Sequence, residues 1–176
     1  TNADGIHCQR NLNGPIIKEC YFNGMADDAI NIYAIAQYAT EAISPNRIRI
    51  TYPDYAHLGE TYQIFDTSTE TTRAYITVTA VSGDIITFEP AVSGIRIGND
   101  AHTADVLYNI SWSSRGYEIM NNYMYQYRGS GARLRAGFGR FVSNQIEDIS
   151  GFGVLVANDF SWPEGPIPSN IDIAAN

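Results

Sequence analysis

The 176-residue sequence has few basic residues and no long apolar run. Its 11 Lys and Arg residues against 19 Asp and Glu residues give a net charge of −8. Binding to a nucleic-acid backbone needs a basic surface, so this balance argues against a nucleic-acid partner. No apolar run approaches the ~20 residues that cross a bilayer, which argues against a membrane role. Neutral ligands such as sugars remain compatible with the composition.

Cysteine and helical periodicity are also scarce. Cys8 and Cys20 are too few for a disulfide framework and fit the role of small buried side chains. Neither their spacing nor their surroundings suggest zinc, and no Gly-rich phosphate loop precedes a helix, so we expect no metal and no cofactor. No segment of ten or more residues shows a convincing helical period. The chain begins with Thr1 and not with Met, from which we expect that it is processed or cut from a larger protein.

Three segments share one pattern, in which a short apolar strand, a polar corner and several small residues precede a second short strand. They read IIKECYFNGMADDAINIYA (16–34), EIMNNYMYQYRGSGARLRA (118–136) and RFVSNQIEDISGFGVLVAN (140–158). Aligning the corners sets Cys20 against Asn122 and Asn144, of which the last two are 22 residues apart. Short strands that recur at this interval predict a right-handed parallel β-helix of about four to five coils, with its side chains stacked in ladders.

The same alignment makes two further predictions. It sets residues 30–32 against residues 133–135 and 155–157 as the second strands of successive coils. It also places Asn122, Asn144 and Asn176 at equivalent corners. Because Asn tolerates the left-handed backbone of a corner, we expect these three residues to be structural.

Residues from about 36 to 111 break the period. They contain five strand-like segments separated by turn signals, RIRITY (47–52), TYQIFD (61–66), RAYITVTAV (73–81), DIITFEPAV (84–92) and DVLYNI (105–110). Alternation of apolar and polar side chains along 75–79 fits a half-exposed antiparallel sheet. We therefore predict an all-β chain, with residues 1–35 and 112–176 as parallel β-helix coils and residues 36–111 as a small inserted antiparallel β-barrel.

Three carboxylates recur at the interval of one coil. Residues 2–6 read Asn-Ala-Asp-Gly-Ile and residues 26–30 read Ala-Asp-Asp-Ala-Ile, so Asp4 precedes Asp27 by 23 positions and Asp28 by 24. Strands stack at about 4.8 Å. Acids on neighbouring coils can therefore reach the separation of roughly 6.5–9.5 Å that an inverting glycosidase needs for its water. Crowding also raises at least one carboxyl pKa, which keeps an acid protonated near neutral pH.

Two other interpretations of these acids stay open. Asp is common at the corners of stacked coils, where its side chain caps backbone N–H groups. Oxygen ligands from stacked coils would also suit calcium.

The two motifs resemble the catalytic coil of pectinase-type β-helix hydrolases, which carry an Asn-Thr-Asp motif and an Asp-Asp motif one coil apart. The sequence is more similar to the α-1,3-galactosidases of glycoside hydrolase family 110, in the Asp to Asp-Asp spacing, in the run Asp-Asp-Ala-Ile-Asn-Ile (27–32) and in a β-barrel inserted just after it. The Gly-His-Gly and Arg-Ile-Lys strings with which pectinases grip an acidic sugar do not occur.

The family resemblance implies an activity and roles for the three acids. The activity is that of an inverting, α-galactosidase-like glycoside hydrolase acting on a terminal galactoside or related glycan. Asp28 would be the general acid, with Asp4 and Asp27 orienting and deprotonating the attacking water. The resemblance also implies a secreted or periplasmic protein.

Five further side chains are candidates for substrate binding. Trp162 and Glu164 form a corner loop that could supply an aromatic platform with a carboxylate beside it, and packing of Trp162 over the coil is the alternative. His7 lies on the strand that begins with the first motif. Arg133 and Arg135 share a strand, and either could face a substrate or form an exposed, solvated pair.

The competing prediction for the whole chain is a non-catalytic β-helix module that binds a polysaccharide or joins an assembly. Open coil ends must be capped or paired, so association into a homo-oligomer through those ends is a further prediction.

Overall fold

The computed structural model describes residues 4–159, 161–162 and 164–176. Strands make up 49% of the chain and helix 2%, which confirms the predicted all-β class. In chain order the strands are β1 Ile6–Gln9, β2 Ile16–Lys18, β3 Tyr21–Asn23, β4 Ile30–Ser44, β5 Arg47–Ile50, β6 Thr61–Asp66, β7 Thr71–Ser82, β8 Ile85–Glu89, β9 Val106–Asn109, β10 Glu118–Met120, β11 Tyr123–Tyr127, β12 Ala132–Leu134, β13 Arg140–Val142, β14 Gln145–Ile149, β15 Val154–Leu155, β16 Glu164–Gly165 and β17 Asp172–Ala174. One 3₁₀ turn, Pro53–Tyr55, lies before β6. No helix in the described part of the chain has the length and apolar character needed to cross a membrane.

A closed antiparallel barrel of six strands is the main feature of the fold. Its order is β4, β5, β8, β7, β6 and β9, and β9 pairs back onto β4. The predicted barrel is thus confirmed, and so is the alternation along β7, where Ile76 and Val78 are buried while Tyr75 is exposed. The second half of β4 is a barrel strand that the sequence did not predict, because its alanine-rich residues carry little strand preference.

The predicted right-handed parallel β-helix is wrong. Apart from the barrel, the described strands form two small parallel sheets, one of four strands (β17, β13, β10, β2) and one of three (β14, β11, β3), and no β-helix is assigned. The remaining parallel strands belong to the ten-stranded sheet that also contains the barrel strands. The prediction fails because β4 does not end at a corner, as the strand of a β-helix coil would. It continues for 15 residues, pairing with β12 in parallel at its start and with β9 in antiparallel fashion further along.

The chain divides into two compact units. The first comprises residues 1–34, 112–158 and 165–176, and the second comprises residues 35–111 and 159–164. The sequence places the boundaries at 35/36 and 111/112 but assigns residues 159–164 to the other segment. The difference arises because the described residues of this segment group with the barrel strands although they follow the parallel strands in the chain.

The core of the first unit is apolar and contains free thiols. Its buried side chains include Ile17, Ile119, Met124, Leu134 and Phe141. Cys8 packs within this core and Cys20 against it, and both are free cysteines, as the sequence predicts.

Asn122, Asn144 and Asn176 form a hydrogen-bonded ladder. The Asn122 Oδ1 accepts from the Cys20 N–H at 3.0 Å, the Asn144 Oδ1 from the Asn122 N–H at 3.1 Å, and the Asn176 Oδ1 from the Asn144 N–H at 2.9 Å. Their predicted structural role is confirmed. The sequence predicted the left-handed backbone conformation at the asparagines themselves. Positive φ occurs instead one residue earlier in each corner, at Glu19, Asn121, Ser143 and Ala175. The chain bends first, and the next residue then enters the ladder.

The register of the second strands also differs by one residue from the alignment. Ala132 pairs with Ile30 and Arg133 with Asn31, whereas the alignment set Arg133 against Ile30. A shift of one residue turns every side chain of a strand to the opposite face. The observed register buries Ala132 and Leu134 completely, so apolar packing decides it.

Candidate active site

Asp4, Asp27 and Asp28 lie close together in the first unit. One carboxylate oxygen from each residue lies within 4.8 Å of those of the other two. The surroundings of the three side chains differ, since Asp27 is exposed, Asp4 is half-buried and Asp28 is only 3% exposed. The structure therefore brings together the three acids that the sequence grouped, and it gives each a different access to water.

Close backbone packing fixes the turn that carries Asp27 and Asp28. The Gly5 N–H donates to the Asp28 carbonyl oxygen at 3.0 Å, which sets the first motif beside the second. Gly129 lies against the same turn with φ +110°, and a Cβ there would lie 2.5 Å from the Asp27 carbonyl oxygen and 2.7 Å from the Asp28 nitrogen. Gly151 packs on Gly129 in the same way, since a Cβ at Gly151 would lie 2.5 Å from the Gly129 carbonyl carbon. Only glycine fits in this column of close approaches.

Asp28 is held at both of its carboxylate oxygens. The Ser130 N–H donates to Oδ1 at 2.6 Å, and the Arg133 Nε lies 2.7 Å from Oδ2. The Arg133 N–H is not aligned with this oxygen, so the second contact is an ion pair rather than a hydrogen bond. Asp28 thus caps a backbone amide, as corner Asp residues commonly do, and also faces a guanidinium.

Asp4 has a raised carboxyl pKa. The largest cause is its partial burial, which disfavours the charged form, and the negative charges of Asp28 and Asp27 add to it. His7 acts in the opposite direction. Asp4 is therefore the group of this cluster that burial and neighbouring charge favour as a protonated acid.

Tyr127 is a buried phenol that interacts electrostatically with Asp28. It is 6% exposed, and its hydroxyl has no hydrogen-bond partner among the described residues. Burial and the charge of Asp28 both raise the pKa of Tyr127, so the phenol is neutral near pH 7. No sequence motif pointed to Tyr127.

His7 is exposed and packs on a tyrosine from the next strand. Its Nε2 lies 2.8 Å from the Tyr33 hydroxyl, and the two rings stack with centroids 5.0 Å apart. The Gln9 side-chain amide donates to the same hydroxyl at 2.7 Å. Sequence reasoning missed Tyr33 and Gln9, although the parallel register that pairs these two residues repeats the 24-residue offset of Asp4 and Asp28.

The two arginine candidates have different surroundings. The Arg133 side chain is 30% exposed and faces Asp28. Arg135 is completely buried, and its Nη1 donates to the Asn31 Oδ1 at 2.9 Å. The burial of Arg135 argues against both direct substrate contact and the exposed, solvated pair.

Trp162 and Glu164 belong to the second unit. Trp162 is 69% exposed, so it does not pack down as an apolar cover, and its backbone N–H donates to the Asp159 Oδ1 at 3.0 Å. Glu164 is 7% exposed, and its backbone bridges to Asp159. The residue between them, Pro163, lies outside the described residues.

The contacts of Asp28 argue against the calcium interpretation of the acids. A calcium ion takes six to eight oxygen ligands. Here the Arg133 guanidinium already supplies positive charge to one Asp28 oxygen, and a backbone amide engages the other.

No protein-family model matches the sequence, and no curated protein sequence matches it. The resemblance to family 110 accordingly rests on the residues of the two motifs and on the barrel that follows them.

Proposed function

We propose that this protein is a glycoside hydrolase of the inverting type, α-galactosidase-like, that acts on a terminal galactoside or related glycan and is secreted or periplasmic. The observation that supports the proposal is the meeting of three carboxylates in three different surroundings. Hydrolysis of a glycosidic bond needs a protonated acid and an ionised base close together. A protein assigns the acid role and the base role to two carboxyl groups by placing them in different surroundings, which separate their pKa values.

The contacts favour a different division of roles from the one that the resemblance implies. Asp4 is the proton donor, because burial and neighbouring charges raise its pKa. Asp28 has both oxygens engaged, by Ser130 and by Arg133, and so is poorly placed to hold and donate a proton. Asp27 is exposed and serves as the base that receives a proton from water.

The separation of the acids suits a water shared by two of them. A water that donates to two carboxylate oxygens at ~2.8 Å each can bridge up to about 5.5 Å. The Asp27 and Asp28 oxygens lie within 4.8 Å of each other, which is inside this reach, and we place the attacking water between these two acids. The nearest oxygens of Asp4 and Asp27 are therefore closer than the ~6.5–9.5 Å between acid and base of inverting enzymes, so the anomer that is formed first is the decisive test of inversion.

The reaction then follows in one displacement. Asp4 gives its proton to the glycosidic oxygen while the shared water attacks the anomeric carbon from the opposite face. Asp27 takes a proton from that water, the bond to the leaving sugar breaks, and a hydroxyl of inverted configuration remains at the anomeric carbon. Exchange with solvent returns a proton to Asp4 and removes one from Asp27.

Hydrolysis of two substrates by paired variants tests these roles. The substrates are 4-nitrophenyl α-galactoside and an α-1,3-linked galactobiose. Asp4→Asn should lower kcat on the disaccharide by about 10²–10⁴-fold. Its effect on the nitrophenyl substrate should be much smaller, because nitrophenolate leaves without protonation. Asp27→Asn should impair both substrates alike.

Asp172→Asn, an exposed acid on β17, is the matched control and should leave both rates unchanged. Proton NMR of the first-formed galactose should show the β-anomer. Absence of turnover in the wild type, or equal rates in the wild type and Asp4→Asn, would contradict the proposal. An α-anomer as first product would contradict inversion.

One observation favours the non-catalytic alternative. Tyr21, Tyr123 and Tyr125 present nearly parallel rings on the three-stranded sheet, with centroids 5.4 and 5.8 Å apart, and Tyr21 is 63% exposed. Exposed aromatic side chains offer sugars an apolar contact surface with a polar edge. Retention on immobilised galactan that is lost in Tyr21→Ala, without turnover of any galactoside, would support a glycan-binding module. Association into a homo-oligomer stays a prediction, which sedimentation velocity would test.

A further inference from the structure

Tyr127 is a buried titratable group that the proposed reaction leaves without a role. The residue is 6% exposed, and its hydroxyl has no hydrogen-bond partner among the described residues. Most buried polar groups in proteins are hydrogen-bonded, because a buried hydroxyl without a partner destabilises the folded state. The phenol interacts electrostatically with Asp28, so its hydroxyl belongs to the surroundings of the acids.

The chain segment that follows Tyr127 wraps around the acid-bearing turn. The Ser130 N–H donates to the Asp28 Oδ1 at 2.6 Å. One residue earlier, Gly129 lies so close to the turn that a Cβ there would fall 2.5 Å from the Asp27 carbonyl oxygen. Tyr127 precedes these two contacts by two and three positions, so the turn and the phenol are carried by the same packed segment.

The backbone of Tyr127 is held on both sides. Tyr127 pairs with Ile149 on the neighbouring strand, and its carbonyl oxygen accepts from the Ser150 N–H at 3.1 Å. The next residue, Arg128, donates its N–H to the Met25 carbonyl oxygen at 3.4 Å, just before the acids. A phenol on a backbone fixed in this way is preorganised, which is what a hydrogen-bond donor in an active site requires.

The phenol remains a hydrogen-bond donor across the neutral pH range. Burial and the charge of Asp28 raise the pKa of Tyr127, so the hydroxyl keeps its proton. An exposure of 6% gives a water access to the residue but not a sugar ring. A water held by the acids is therefore the acceptor that suits this donor.

The attacking water of the proposed reaction has room for one more hydrogen bond. It donates its two hydrogens to oxygens of Asp27 and Asp28, and one of its lone pairs attacks the anomeric carbon. The second lone pair accepts from a donor, since buried waters typically make about three hydrogen bonds. A neutral phenol suits this position because it orients the water and withdraws less electron density from it than a cation would.

We propose that the Tyr127 hydroxyl donates a hydrogen bond to the attacking water and thereby aims its free lone pair at the anomeric carbon. The phenol keeps its own proton, and the proton lost by the water goes to Asp27. This inference rests on the proposed function for its catalytic meaning. The place of the hydroxyl can be measured without a substrate, so failure of the hydrolysis and failure of this inference are distinguishable.

Tyr127→Phe tests the proposal because it removes only the hydroxyl. On 4-nitrophenyl α-galactoside and on α-1,3-linked galactobiose alike, kcat should fall by about 5–20-fold with KM unchanged, since both reactions use the same water. An unchanged kcat would overturn the proposal. So would a loss confined to the disaccharide, which would place the hydroxyl at the leaving oxygen, or a raised KM with unchanged kcat, which would place it on the sugar.

Tyr117→Phe is the matched control. Tyr117 is a completely buried tyrosine of the same unit, and its hydroxyl also has no partner among the described residues. Its ring lies against Gly139, where a Cβ would fall 2.0 Å from the Tyr117 Cζ, and burial is the cause of its raised pKa. Both kcat values should remain those of the wild type. Equal losses in the two variants would show a general effect of the core and overturn the proposal.

A ¹³C NMR spectrum of protein labelled at the tyrosine Cζ measures the place of the hydroxyl without a substrate. The resonances missing from Tyr127→Phe and from Tyr117→Phe identify the two phenols. Asp27→Asn should shift the Tyr127 resonance and leave that of Tyr117 in place. Asp27 is not among the causes of the raised Tyr127 pKa, so we expect it to affect this phenol through the shared water.

This spectrum decides the matter even where kinetics do not. A Tyr127 resonance that stays in place in Asp27→Asn would overturn the proposal, whether or not the wild type hydrolyses a galactoside. If Tyr127→Phe does not fold, sequential assignment of the wild type identifies the resonance, and the same comparison with Asp27→Asn applies.

Discussion

Each unit of the molecule contains a cluster of charged side chains, and the two clusters differ in charge balance. In the barrel unit Arg73 contacts Asp66 at 2.6 Å and Asp105 at 2.9 Å, and Arg96 lies 3.6 Å from Asp66. Two cations there meet two anions. In the first unit three carboxylates lie together, and Arg133 contacts one of them, Asp28, at 2.7 Å.

Asp66 and Asp4 show how the ionised form of a carboxylate can stabilise the folded state in one cluster and destabilise it in the other. Hydrogen bonds from Ser68 and the charge of Arg73 lower the pKa of Asp66, so its ionised form favours the folded state. The pKa of Asp4 is raised, so its ionised form opposes folding. Groups kept at such a cost are typical of functional sites, where activity and not stability explains their presence. Loss of the Asp66 carboxylate and loss of the Asp4 carboxylate should therefore have opposite effects on stability.

Gly129→Ala should have the largest effect on the free energy of unfolding, because the acid-bearing turn leaves no space for a side chain. The added Cβ would lie 2.5 Å from the Asp27 carbonyl oxygen, and the φ of +110° is unfavourable for alanine. We expect a loss of about 3–4 kcal/mol, as for other overpacked and strained positions. Urea denaturation measures it.

Gly24→Ala is the matched control for Gly129→Ala. Gly24 also has a positive φ, +68°, but a Cβ there would meet nothing within 4 Å. Only the backbone cost of about 1–2 kcal/mol remains. Equal losses in the two variants would show that close packing does not hold the acids in place.

Asp105→Ala should rank next, with a loss of about 3 kcal/mol, because it breaks a buried ion pair from one side. Asp105 is completely buried, and its Oδ2 accepts from the Arg73 Nε at 2.9 Å and from the Arg96 backbone N–H at 3.1 Å. Thermal or urea unfolding measures the loss. Asp172→Ala removes an exposed carboxylate and should have no measurable effect. A similarly small effect at Asp105 would contradict a structural role for the balanced cluster.

The grouping of the three acids could be predicted because it depends on spacing alone. Parallel pairing sets Ile6 against Ile30, and the same offset of 24 brings Asp4 beside Asp28. The barrel strands could be predicted because a sheet with one buried face alternates visibly, as along 75–79. Both signals are local patterns or fixed intervals in the sequence.

The remaining features depend on contacts that a pattern does not contain. The alignment missed the register of Arg133 by one residue, since only the packing of Ala132 and Leu134 decides it. It predicted a parallel β-helix because it could not show that β4 continues into the barrel. The contacts of Asp28 come from the Arg133 guanidinium on β12 and the Ser130 amide just before that strand, far along the chain, which no motif around Asp28 reveals.

Asp4→Asn should have the smallest effect on stability and the opposite sign. The folded-state pKa of Asp4 lies above its unfolded value, so the folded state binds more protons between the two pKa values. Stability therefore falls as the pH rises from the unfolded pKa through the folded one, so the contribution of Asp4 to stability at neutral pH is unfavourable. Asparagine does not titrate, so the variant should be more stable at pH 7 by about 0.5–1 kcal/mol, a modest gain because water screens this half-buried group.

The pH dependence decides whether this gain has the proposed cause. At pH 3 Asp4 is protonated in both states, so Asp4→Asn and the wild type should unfold at the same urea concentration. Asp66→Asn provides the opposite case, because the pKa of Asp66 is lowered and its stabilising effect is present at neutral pH and lost as the pH falls through the folded pKa. Asp66→Asn should therefore destabilise at pH 7 and approach the wild type in acid. If Asp4→Asn also destabilised at pH 7, both clusters would be structural, and the charge imbalance around Arg133 would not identify a catalytic site.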